Sequence, residues 1–160
     1  MHEFQITKYD PDLRDADGRF LKEDWTSVSD VGRNFLGTVL SPESYKAVEL
    51  GYTEAVLHFL DEAEVDFLHA LGVENHSGAD GVPQEGSLVK REDIPAVVGA
   101  MLREEFWCRL ESSKAFVHVG YDYYMYVGVS HECQNSIKFA HQKGLFVENF
   151  ISPYHPEVES

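Results

Sequence analysis

The segment FWCRLESSKAFVHVGYDYYMYVGV, residues 106–129, constrains the fold more than any other part of the chain. Aromatic and β-branched residues fill it, and only Ser112-Ser113-Lys114 and Tyr121-Asp122 interrupt it. Strand formers at that density, joined by connections that short, predict three consecutive strands, residues 106–111, 115–120 and 123–129, folded as an antiparallel meander. A sheet needs something to cover its apolar face, and the rest of the chain supplies helices.

Ser41-Pro42-Glu43-Ser44 is a helix start: serine caps the free amides, and proline suits the first helical position, where its missing N–H has no partner to lose. Tyr45, Val48, Tyr52, Val56 and Phe59 then recur at three- and four-residue steps, predicting an amphipathic helix to about Asp61. A second helix is expected over residues 91–105 and a third from Ser130 to about Lys143, with Gly144 ending it. Residues 3–8, 65–73 and 145–151 read as further strands, residues 20–32 as extended pieces around a polar loop, and residues 74–86 as a surface loop. The order β, α, β, α, β, β, β, α, β predicts a single α+β domain over 1–160, a mostly antiparallel sheet with about three helices packed on it and a short flexible tail from about residue 152.

Charge bounds the function. Against 13 basic residues stand 28 acidic ones, a formal net of −15. A field of that sign repels phosphate backbones and anionic membranes and attracts basic proteins, so the expected partner is a basic protein, with neither nucleic acid nor membrane bound directly. The apolar runs are short for a bilayer span and the start lacks signal-peptide character, which predicts a cytoplasmic protein.

Motifs for chemistry fail on inspection. YDPDLRDADGRF, residues 9–20, has the composition of a calcium loop, but Arg14 or Arg19 falls at the fifth ligand position in either register. Asp10-Pro11 and Asp17-Gly18 read instead as two turns. His131-Glu132-Cys133-Gln134-Asn135 nearly matches H-E-x-x-H, with Asn135 where the second ligand belongs, and His141 lies roughly 15 Å further along a helix axis. Cys108 and His118 on neighbouring strands are a candidate nucleophile pair, although an apolar strand in an anionic protein does not favour a thiolate. No phosphate loop, hydrolase elbow or dinucleotide fingerprint is present, so no catalytic residue, metal or cofactor is assigned.

ITKYDPDLRDADGRFLKEDWTSVSDVG, REEFWCRL and FVHVGYDYYMYVGV together resemble a set of small, acidic, mostly uncharacterised bacterial proteins, some of which sit in gene neighbourhoods typical of immunity proteins for polymorphic toxins. The resemblance implies an immunity or inhibitor protein, not an enzyme, that neutralises a basic toxin domain such as a nuclease. The alternatives are a small enzyme using His118, Cys108 or a carboxylate pair, and an acidic mimic of nucleic acid. Loops on a rigid scaffold carry binding residues, and a few aromatics usually dominate affinity. The expected contact core is therefore Trp25, Tyr121, Asp122 and Tyr123, with Glu23, Asp24 and Asp30 as steering charges. The acids Asp61, Glu62, Glu64 and Asp66, which oppose the dipole of the first helix, and the loop from Glu74 to Gly86 are the fallback surfaces should the aromatics prove to be packing.

Overall fold

The computed structural model describes residues 1–17, 19 and 23–156. Gly18, the start of the 20–32 stretch and the last four residues, for which a turn, an extended piece and a tail are expected, lie outside the described residues. The elements run β1 (His2–Thr7), β2 (Asn34–Phe35), β3 (Thr38–Val39), α1 (Pro42–Glu62), β4 (Phe67–Glu74), β5 (Leu88–Lys90), α2 (Ile94–Leu102), β6 (Trp107–Glu111), β7 (Ala115–Val119), β8 (Met125–Val129), α3 (Gln134–Gln142) and β9 (Phe146–Asn149). Seven strands make one antiparallel sheet in the order β5-β4-β6-β7-β8-β1-β9, and β2-β3 is a separate small hairpin. The α+β class holds: three helices pack on the sheet in one compact domain.

Alternation along the strands divides the sheet's two faces. Phe4, Ile6, Leu110, Val117 and Val127 join Phe59, Leu60 and Val98 of the helices in the core. Their neighbours Gln5, Arg109, His118 and Tyr126 stand in register across the opposite face. Residues 150–156 cross that second face, where Ser152 is only 4 % exposed. The tail expected to be free from about residue 152 is thus fastened to the sheet as far as His155, whose ring meets Glu3 at 2.6 Å and Phe116 edge-on.

α1 starts as expected, with the Ser41 hydroxyl accepting the Ser44 amide at 3.1 Å. The acids at its far end have structural partners. Asp61 forms a fork with the Arg91 guanidinium, one arm of it 2.6 Å long. Glu62 takes both the amide of Ser136, at 2.8 Å, and its hydroxyl, at 2.6 Å. Glu62 therefore caps α3 from a neighbouring helix, and those hydrogen bonds hold its carboxyl low although burial works against them. This is why α3 begins at Gln134 and not at Ser130: the chain first turns through Cys133 at φ 52, buried against Phe59. Gly144, at φ 81, ends α3 as predicted, with the Leu145 amide reaching back to Ala140. The second helix is shorter than residues 91–105, because a single 3₁₀ turn, Arg91–Asp93, precedes α2, and Glu104 at φ 62 follows it. No helix among the described residues is long and apolar enough to cross a membrane.

Candidate functional site

The turn between β7 and β8 places the most exposed aromatic side chain of the described residues. Gly120 and Tyr124 close it, their backbones bonded at 2.7 Å. Asp122 and Tyr123 inside it both have positive φ, 58° and 66°. A left-handed tyrosine is costly, of the order of 1–3 kcal/mol, and persists only where the surroundings enforce it. Here they do. The Tyr123 ring is 2 % exposed and lies 5.0 Å from both Trp25 and Tyr52, with its hydroxyl donating to Tyr45 at 2.5 Å. Two further tyrosines hold the turn's carbonyls: Tyr9 donates to Asp122 at 2.5 Å and Tyr52 to Tyr123 at 2.8 Å. With Tyr123 folded inward, Tyr121 is turned out to solvent, 81 % exposed.

Tyr121 borders a cleft of about 540 Å³ at the sheet end where β4 finishes and β6 begins. Trp107 and Tyr154 line it as well, with ring centroids 5.7 Å apart, and the Trp107 indole is fixed by donating to the Val119 carbonyl at 2.7 Å. Glu74, Glu104 and Glu105 supply its carboxylates. An irregularity in the β4–β6 register between Leu71 and Glu74 brings Glu74 opposite Trp107. Gly72, at φ 64, sits in that irregularity, and a side chain there would meet the Arg109 guanidinium at 2.7 Å. The Glu85 carboxylate accepts the amides of Gly72 and Val73 at 3.0 and 2.9 Å, so it belongs to the scaffold.

The residues expected to bind a partner separate into three groups. Trp25, at 8 % exposure, and Tyr123 are interior packing, which corrects their assignment to an exposed contact core. Their polar sequence neighbours lie on the surface while the rings fold under. Asp30 is buried too: it accepts the Thr26 and Ser27 amides and pairs with Arg33, and the Thr26 amide leads in holding its carboxyl below the usual range. Its role is to cap a 3₁₀ turn, not to steer. Asp24 is exposed but carries the Lys8 ammonium at 2.9 Å, and that ammonium also stands 4.0 Å over the Trp25 ring. Tyr121, Asp122 and Glu23 are the exposed remainder. Glu23 borders a second cleft, of about 400 Å³, beside the β2-β3 hairpin.

Reactive groups are closed off. Cys108 faces the core with Leu110, whereas His118 points to the other face, opposite Arg109, so the two cannot form a nucleophile pair. Burial pushes both thiols up, to about 12 for Cys108 and about 11 for Cys133. His118 does stand in a row that short motifs did not reveal: its Nε2 lies 2.7 Å from Glu111 and its Nδ1 2.6 Å from the Ser152 hydroxyl. This has the composition of a serine nucleophile set. His118 is 0 % exposed, however, and neither cleft includes any of the three residues. The row fastens the C-terminal segment to the sheet.

Glu104, Glu105, Trp107 and Tyr154 were missed as site residues in the sequence, whereas Glu74 opens the 74–86 stretch, expected as a fallback surface. They come from separate stretches and meet only through the strand order. Comparison with protein-family models, with curated proteins and with solved structures gives no match, so the resemblance to immunity proteins has no support from relatives.

Proposed function

We propose that this chain is an inhibitor of the immunity type, which binds and neutralises a basic toxin domain through the Tyr121 turn and the adjoining cleft. The observation that carries the reading is the construction of that turn. Strain at Asp122 and Tyr123 is held in place by three tyrosines, and the result is one large aromatic side chain displayed beside carboxylates. Aromatic anchors carried on a fixed backbone dominate protein–protein affinity, since little backbone freedom is left to lose on binding. The net charge of −15 supplies the second support. An enzyme that holds phosphates is positive around its active site, and an anionic inhibitor is both steered towards it and able to occupy the substrate's place. A nuclease is accordingly the toxin class that such a surface best complements.

Co-expression tests this. A basic toxin domain encoded beside the gene should be lethal alone, harmless together with this chain, and recovered with it as a stable complex. Continued killing, with no complex formed by any basic toxin domain tried, overturns the proposal.

A further inference from the structure

We infer that the cleft beside Tyr121 receives an arginine side chain presented by a protein partner, an inference that rests on the inhibitor reading and specifies what the partner offers. The cleft beside Tyr121 contrasts with the one beside the β2-β3 hairpin. Next to the smaller one, the chain satisfies an aromatic and carboxylate environment with its own cation: Lys8 lies 2.9 Å from Asp24, 4.0 Å over the Trp25 ring and 4.3 Å over the Tyr9 ring. The larger cleft has the same ingredients with no lysine or arginine among its lining residues. Trp107, Tyr121 and Tyr154 form aromatic walls, and Glu74 and Glu104 have no cationic partner among the described residues.

The third carboxylate shows which cation suits the rim. Glu105 already holds the guanidinium of Arg103 at 2.8 Å, and the other side of that guanidinium binds Glu49 at 2.7 Å. A planar guanidinium can lie against a ring face while its N–H groups fork onto carboxylates, which an ammonium on a flexible stem does less well. At about 540 Å³ the cleft exceeds one guanidinium and has room for the arginine stem and flanking backbone. Tyr121 stands exposed at its mouth on a turn whose neighbouring residues are pinned, so its ring is placed to lie over the stem.

The test is a titration of the intact protein with acetyl-Gly-Arg-Gly-amide, followed by two-dimensional NMR. Saturable shifts should centre on the Trp107 indole and on the Gly120 and Tyr121 amides. The citrulline analogue, which keeps the shape and loses the charge, should bind at least tenfold more weakly, and the lysine analogue several-fold more weakly. Tyr121→Ala, and separately Glu74→Gln with Glu104→Gln, should each weaken the arginine peptide about tenfold while leaving the melting temperature unchanged, since all three side chains are exposed. Equal binding of the citrulline peptide, or unsaturable shifts spread over the whole acidic surface, overturns the inference. If the titration fails in that way while a basic toxin domain is still neutralised, the arginine cleft is wrong and the inhibitor reading stands. A specific, saturable titration upholds the cleft even where no toxin domain is neutralised.

Discussion

The Tyr52 hydroxyl, fully buried on α1, donates to the Tyr123 carbonyl at 2.8 Å and accepts the Lys8 amide at 2.7 Å. One side chain thus ties the long helix to the strained β7–β8 turn and to the end of β1. Tyr52→Phe removes the donor and leaves a buried carbonyl unpaired, which costs about 1–3 kcal/mol. The expected result is a lower urea midpoint with an unchanged denaturant slope. Because the turn that carries Tyr121 loses an anchor, hydrogen exchange at Tyr121–Tyr124 should also accelerate more than exchange in β4. Unaltered exchange at the turn would show that Tyr52 does not hold it.

Gly128 faces the Phe116 ring across β7 and β8, and a methyl group built there would sit 2.1 Å from the ring. Phe116 in turn stacks on His118 at 4.3 Å and meets His155 edge-on at 4.9 Å. The ring cannot move without disturbing the C-terminal segment, so Gly128→Ala should destabilise by about 2–3 kcal/mol through overpacking. Differential scanning calorimetry measures it; a stabilised variant contradicts the packing described.

Acid should weaken the protein through His118. Burial lowers its pKa below the ordinary value, outweighing Glu111, while His155 and Arg109 push in the same direction as burial. The unfolded chain therefore takes up the proton first. Stability is fully present above about pH 6.5 and is lost as pH falls from there towards the folded pKa, by up to about 1.4 kcal/mol per pH unit. His118→Gln should flatten the stability profile between pH 7 and 5 whatever its absolute stability. A wild-type profile flat over that window contradicts the sign.

Calcium should neither order nor stabilise residues 10–17. Asp10 accepts the Asp12 amide at 2.9 Å, and Asp15 accepts the amides of Asp17 and Arg19, each at 2.9 Å, so these carboxylates are already turn formers. Millimolar calcium should shift the melting temperature no more than magnesium does. A calcium-specific rise of several degrees refutes this.

How much of this was legible in the sequence depends on whether the deciding interaction is local. The Ser41 cap, the Gly144 stop and the meander are local, and they appear as expected except that β8 begins at Met125 and not at Tyr123, which is drawn into the turn at φ 66. β5 spans only three residues, too few for a period, and pairs with β4 across a loop. The β2-β3 hairpin turns at Leu36-Gly37, where the turn pattern asks for Asn-Gly. α3 begins late because its cap, Glu62, comes from α1. At the site, Tyr121 could be named from its turn, but Trp25 and Tyr123 misled because charged neighbours marked them as surface. Their bulk was the contrary signal: large aromatics with hydroxyl or ring partners are core material.

The most direct measurement is calorimetric titration of the purified protein against a toxin domain that it neutralises, comparing charge changes at the cleft with equal changes far from it. Tyr121→Ala, and Glu74→Gln with Glu104→Gln, should weaken binding at least tenfold. Glu92→Gln with Asp93→Asn, which alters net charge equally at the start of α2, should change it less than twofold. Equal weakening by both charge pairs, with Tyr121→Ala silent, would mean that diffuse charge drives association, and would contradict the claim that the Tyr121 cleft is the binding site.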